Sequence, residues 1–244
     1  MEETGLLKQI LLANGIPSFG DDILSRLVSF YHLVVEKNKV MNLTAITDFQ
    51  DFAVKHFADS LSVLKILKLS GSCVDVGTGA GFPGIPLAIC CPDVSFTLLD
   101  SLRKRVDFLS EAVSELGLKN VTLMHTRAED AGNNSKLRDS FDFAVSRAVS
   151  GLSTLVEYVL PFVKTSGTFI AYKGPSAATE IATSANALIV FSARVDLFHS
   201  FELSPDPSDE SLEKSVRTLI FITKDKPTPK GYPRSSAKMS KNPL

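Results

Sequence analysis

The chain has no tryptophan, only three cysteines and almost no net charge. Each shortage excludes something. Three cysteines, two of them adjacent at Cys90 and Cys91, cannot build a disulfide framework. Neither they nor the scattered histidines His32, His56, His125 and His199 have zinc-ligand spacing, so no metal is expected. Free thiols in apolar runs suit a reducing cytoplasm. The longest run without a charged residue, 76–92, holds four glycines and three prolines and cannot cross a bilayer as a helix. The acidic start Met1-Glu2-Glu3 is unlike a secretory signal, so a soluble cytoplasmic protein is expected. A net charge of −1 gives no global attraction to nucleic acid or to an anionic membrane.

What is present is an ordinary globular composition, 44% hydrophobic and 22% charged over 244 residues. A chain this long buries about 70% of its unfolded surface and needs no staple to fold. The charge is unevenly placed. Residues 217–244 hold seven basic side chains (Arg217, Lys224, Lys226, Lys230, Arg234, Lys238, Lys241) against Asp225 alone. A basic tail on an acidic body suggests a local contact with a polyanion.

Residues 1–70 read as helical. Ile23, Leu24, Leu27, Val28, Tyr31 and Val35 recur at helical spacing, residues 52–67 repeat the habit, and Asn42-Leu43-Thr44 breaks the two apart. The pattern then changes to short apolar runs at 73–76, 94–99, 121–124, 141–145 and 168–172. Helical stretches near 102–116, 152–163 and 176–188 alternate with them. Such alternation predicts βαβ units and a mostly parallel sheet. Two further β-rich runs, 189–203 and 215–223, flank an acidic, Pro/Ser-rich stretch at 204–213 that reads as a solvated loop.

The informative segment is Asp75-Val76-Gly77-Thr78-Gly79-Ala80-Gly81-Phe82-Pro83-Gly84. Glycines after a first strand let backbone approach a nucleotide, and the next helix offers free N–H groups. Gly79 to Gly84 matches a dinucleotide fingerprint, with Asp100 21 residues after Gly79 as a ribose-binding acid. Yet Gly77-Thr78 intervenes before that fingerprint, and the strand ends in the carboxylate of Asp75. This order resembles motif I of S-adenosylmethionine-dependent methyltransferases. Asp75 would suit a ligand carrying a sulfonium and an ammonium, and Asp100 would accept the ribose hydroxyls. Arg127-Ala128-Glu129-Asp130 after the third strand reads either as an adenine-recognition turn or as a charged loop. Arg147 ends the fourth strand facing the cleft, and Arg103-Lys104-Arg105 reads as a solvated face. A nicotinamide-dependent oxidoreductase and a small-molecule methyltransferase stay open at this point.

The chain closely resembles one family, the bacterial 16S ribosomal RNA guanine-N7 methyltransferase G, also called glucose-inhibited division protein B. The matching segments are Met41-Asn42-Leu43-Thr44-Ala45-Ile46, His56 with Asp59-Ser60-Leu61, and Asp75 through Ile89. They continue with Leu99-Asp100-Ser101, Lys104-Arg105, Phe108-Leu109, Arg127-Ala128-Glu129, Ser146-Arg147-Ala148, Thr228-Pro229 and Tyr232-Pro233-Arg234. Leu102-Arg103 and Ser235-Ser236-Ala237 depart from it. The resemblance implies an α/β, Rossmann-like S-adenosylmethionine-dependent methyltransferase fold with an N-terminal helical extension. The expected division is a helical cap at 1–70, a Rossmann-like methyltransferase domain at 71–224 and a basic tail at 225–244. Expected cofactor-binding residues are Asp75, Gly77, Gly79, Phe82, Asp100, Ala128, Glu129 and Arg147. The expected partner is 16S ribosomal RNA of the small ribosomal subunit, met by a monomer with no membrane and no metal. Guanine N7 carries a free lone pair, so no catalytic base is named. The tail is expected to touch RNA phosphates and to leave cofactor binding alone.

Overall fold

The structure is a computed structural model that describes residues 2–206 and 214–244. The expected loop at 204–213 therefore lies in part, at 207–213, outside the described residues. Helices α1 (Glu2–Ala13) and α2 (Asp21–Met41) open the chain. Asp21 and Asp22 in the first turn of α2 and Lys39 in its last complement the helix dipole. Its buried face, Leu24, Leu27, Phe30, Tyr31 and Val34, keeps helical spacing. After the break at Asn42, one continuous helical stretch runs through α3 (Phe49–Phe52), a π-helical turn at Ala53–Ala58, α4 (Asp59–Leu61) and a 3-10 turn at Ser62–Lys65. Asp48 caps it, its carboxylate accepting from the Asp51 amide at 3.0 Å.

The alternating part follows in order: β1 (Ser72–Val76), α5 (Gly84–Cys90), β2 (Ser95–Asp100), α6 (Arg103–Glu115), β3 (Val121–His125), α7 (Ala128–Gly132) and β4 (Phe141–Arg147). Then come α8 (Leu152–Val159), β5 (Val163–Lys173), α9 (Ala177–Thr183), α10 (Ala185–Val190), β6 (Ala193–Leu203), β7 (Ser215–Lys224) and α11 (Ser236–Lys241). The seven strands form one sheet in the order β3-β2-β1-β4-β5-β7-β6. β1 through β5 are parallel, and β7 runs antiparallel to both β5 and β6. The strand order reverses between β1 and β4, which opens a crevice at their carboxyl ends.

Two apolar clusters cover the sheet. One joins Leu7, Phe30, Phe52 and Phe57 of the N-terminal helices to Phe96, Val145 and Ile170 of the strands. The first seventy residues are thus built into the same core as one sheet face. The other cluster gathers Leu155, Val159, Phe162 and Phe191 under α8 and α10. The helix expected near 176–188 is divided at Ser184, whose hydroxyl donates to the Ile181 carbonyl at 2.9 Å and competes with helix continuation. Among the described residues no helix is long and apolar enough to cross a membrane.

The C-terminal segment is not a free tail. Lys224 is fully buried, donating to the carbonyls of Leu160 (2.8 Å) and Val163 (2.7 Å) and pairing with Asp139. Arg234 forks onto the buried Glu157, Nε to Oε1 at 2.8 Å and Nη2 to Oε2 at 2.6 Å. Two of the seven basic groups are therefore spent inside the protein.

Candidate functional site

β1 ends in the fully buried carboxylate of Asp75. One oxygen accepts the Gly84 amide at 2.9 Å, which fastens the first turn of α5 to the strand end. The other oxygen has no hydrogen-bond partner. Only glycine fits at 84, since a Cβ there would lie 2.0 Å from Leu98 Cδ2 and 2.7 Å from Asp75 Oδ2. Burial raises the Asp75 pKa to about 7, against the opposing pull of the Thr78 hydroxyl, the Gly84 amide and Arg147. The glycine loop then leaves β1 with Gly77 at φ 75°, its amide donating to the Leu99 carbonyl at 2.9 Å. A Cβ at Gly77 would meet Val149 Cγ2 at 2.7 Å, so only glycine lets the loops after β1 and β4 approach.

A cavity of about 790 Å³ lies over these strand ends. Gly77, Asp100, Ala128 and Glu129 line it, with Arg105, Ala148, Val149, Tyr158 and Met239 among its other walls. Asp100, at the end of β2, is itself 3% exposed. Its Oδ2 accepts the Gly79 amide at 3.0 Å and its Oδ1 the Leu102 amide at 2.8 Å, so Gly79 acts through Asp100. The Ala128–Glu129 turn opens α7, a short helix where a loop reading had also been open; Glu129 and Asp130 sit in its first turn, where the dipole favours acids. Volume, acid and adjacent turn fit a nucleoside cofactor. Among the described residues no group of His, Cys, Asp and Glu could hold a metal ion.

Four residues expected at the cofactor are not on this wall: Gly79, which reaches it only through Asp100, and Asp75, Phe82 and Arg147. Asp75 faces the α5 turn, as above. Phe82 is buried behind the loop, stacked on His56 with ring centroids 4.5 Å apart. Arg147 points into an adjoining cavity of about 470 Å³, lined also by Ile46, Lys55, His56, Asp59, Lys173 and Arg217. The physical reason is a competing partner. Arg147 Nη1 donates to Asp59 Oδ2 at 2.8 Å and Nη2 to His56 Nδ1 at 3.1 Å, while its guanidinium lies 5.1 Å from the Phe82 ring centre. Ala148, at φ 56°, lines both cavities and separates them.

His56 and Asp59 carried no assigned role in the sequence. The available signal was polar side chains inside an otherwise apolar helix. The π-helical turn there widens the helix and helps bring Lys55, His56 and Asp59 to one cavity. Because a guanidinium can only donate, His56 Nδ1 must accept, which leaves Nε2–H to donate to Thr44 Oγ1 at 2.8 Å. Burial, then Arg147 and Arg217, pushes its pKa down to about 3, so the ring is neutral.

Parallel strands feeding a nucleoside-sized crevice, with an acid at the end of β2, define a Rossmann-like α/β protein. Solved structures share the fold. An S-adenosylmethionine-dependent O-methyltransferase from Thermotoga maritima has a TM-score of 0.53 at 14% identity, covering 81% of this chain and 73% of that one. A precorrin-6y C5,15-methyltransferase from Geobacter metallireducens has a TM-score of 0.51 at 16% identity, covering 76% and 92%. Residues 23–207 match the family described as GidB, rRNA small subunit methyltransferase G. Proteins named ribosomal RNA small subunit methyltransferase G are 44% identical in Alkaliphilus metalliredigens, over 97% of this chain and 98% of that one, and 39% identical in Clostridium perfringens over 100% of both. The chain belongs to the rRNA small subunit methyltransferase G family.

Two outcomes follow from this geometry. Asp100→Asn should weaken S-adenosylhomocysteine binding about 10- to 150-fold, the loss of charge-assisted hydrogen bonds. Calorimetric titration reads it, and unchanged affinity would remove Asp100 from the site. Asp75, with a native pKa of about 7 against the usual 3.8, holds its proton more tightly folded than unfolded. Its contribution to stability is therefore full below about pH 4 and is lost as pH rises through about 7. Asp75→Asn, which keeps an acceptor for Gly84, should melt several degrees above the parent at pH 8, with the gap closing toward pH 4. Parallel melting curves across that range would contradict it.

Proposed function

We propose that this protein transfers the methyl group of S-adenosylmethionine to N7 of a guanine in 16S ribosomal RNA. The observation that carries the reading is the pair of cavities parted by Ala148, one fitted to a nucleoside and the other rich in cations. Gly77, Asp100, Ala128 and Glu129 would hold the cofactor, with Gly79 fixing Asp100. Asp75 and Phe82 would support the loop from behind, and Arg147 would border the target base. When bound, the cofactor supplies a methyl group on a sulfonium.

The target base would occupy the second cavity. N7 lies on the major-groove edge, and the deep, narrow major groove of A-form RNA keeps protein out. A guanine in a loop, or one turned out of its stack, can reach a recess of this size. Lys55 and Arg217 around it, both partly exposed, suit the base's acceptor edge and the flanking phosphates. The segment 1–70 supplies Ile46, Lys55, His56 and Asp59 to this recess and would act as its cap.

No proton has to leave guanine N7, and among the described residues the recess offers no free base. Both nitrogens of His56 are engaged, Asp59 is taken up by Arg147, and Glu180 is taken up by Lys173 and the Leu152 amide. Rate enhancement would come from alignment of nucleophile, methyl and sulfur. On this reading the enzyme works as a monomer in the cytoplasm.

The test is to incubate the protein with methyl-labelled S-adenosylmethionine and 16S RNA or small subunits and then locate the label. A label at N7 of one guanine is expected; turnover on a small acceptor with none on RNA would overturn the reading. Single-turnover transfer with bound RNA should also be nearly flat between about pH 8 and 9, where His56 is neutral and Asp75 is largely ionised. A steep rise there would demand a general base.

A further inference from the structure

The larger cavity has one wall that neither the glycine loop nor the strand ends supply. Ser236, Met239, Ser240 and Pro243 line it, all from the C-terminal segment. A helix as short as α11 has no stability of its own in water, so something must hold it there. Four attachments do, one of them Ser153 Oγ of α8 donating to the Leu244 carbonyl at 2.6 Å. The Arg234 fork grips Glu157 of α8, which is 1% exposed. The Tyr158 and Ser236 hydroxyls lie 3.2 Å apart, and Asn133 Nδ2 donates to the Pro233 carbonyl at 3.2 Å. Met239 is then almost completely buried while still bordering the cavity. If the cofactor occupies this cavity, the tail does not stand clear of it, contrary to the expectation from sequence.

The other side of the same segment is polar. Lys238 and Lys241 are exposed on α11, and Lys226 and Lys230 are exposed just before it. We infer that residues 234–244 form a shared wall, with Ser236 and Met239 holding the cofactor on the inside and Lys238 and Lys241 holding RNA phosphate on the outside. The outer half rests on the RNA reading above; the inner half does not. A wall fixed by both ligands makes their binding cooperative, and the coupling must be equal in both directions. RNA that pins α11 shapes the cofactor cavity, and a bound cofactor presents the lysines in place.

The experiment compares the full chain with one truncated after Arg234, which keeps the fork onto Glu157. S-adenosylhomocysteine affinity is measured by calorimetry with and without 16S RNA. Without RNA, truncation should weaken binding about tenfold, the scale of one well-buried apolar contact and its neighbours. With RNA, the full chain should bind the ligand about fivefold more tightly or better. That gain should vanish in the truncated chain and in the double variant Lys238→Gln, Lys241→Gln. Should the truncated chain fail to melt cooperatively, Met239→Ala decides the inner half, with about threefold weaker binding expected. Equal affinities in the full, truncated and Met239→Ala chains would overturn the shared wall. A full chain that binds no RNA would overturn the outer half and the functional reading together, while weaker ligand binding on truncation would still uphold the inner half.

Discussion

β1 ends in a carboxylate with no route to solvent, and the amide of Gly84 is what meets it. That contact sets where α5 begins and therefore how far the chain between Val76 and Gly84 must turn. The loop closes within this span because Gly77 takes a positive φ and Leu98 leaves room for nothing larger than hydrogen at position 84. The cost is a buried acid with one oxygen unsatisfied. The return is a backbone that passes close to the Asp100 carboxylate, so that the Gly79 amide fixes the acid at the edge of the cavity. Stability is traded here for a preformed cavity edge.

The loop after β4 does the matching work on the other side of the switch point. Gly77 lets Val149 come close, and Ala148 is left as a thin partition between the two cavities. Lys173 donates to the Ser150 carbonyl at 2.6 Å, and Glu180 accepts the Leu152 amide at 2.9 Å, so the partition is held from β5 and α9. Transfer between two bound molecules depends on such spacing, because displacements near 1 Å can cost about two orders of magnitude in rate. The cations of the second cavity are held as firmly, with Arg147 tied to Asp59, His56 and the face of Phe82.

Much of this was legible in the sequence, and the unread parts have physical causes. The apolar alternation placed the parallel strands because buried strands and amphipathic helices differ in period. The glycine order and the acid after the second strand pointed to the larger cavity, which Gly77 and Asp100 line, since only backbone without a Cβ can make that approach. Arg147 was expected at the cofactor because the family resemblance implied it, and its place at the end of a central strand said only that it faces the cleft. Its partners Asp59 and His56 lie some ninety residues earlier, and no local pattern reports a pairing across that distance. The π-helical turn that aims His56 was invisible for the same reason. The tail's polar composition pointed outward to phosphate and not to the protein. What ties it down is the Arg234 fork onto the buried Glu157, the buried Met239 and side-chain hydrogen bonds from Asn133, Arg138, Ser153 and Tyr158, all distant in sequence.

The central claim is spatial: cofactor in the cavity bounded by Gly77, Asp100 and Glu129, target base beyond Ala148. A crystal structure of the complex with S-adenosylhomocysteine tests it most directly. The account predicts ribose hydroxyls on the Asp100 carboxylate, the adenine beside Ala128 and Glu129, and the sulfur directed toward Ala148. Density for the ligand among His56, Arg147 and Arg217, with the Asp100 cavity empty, would contradict it.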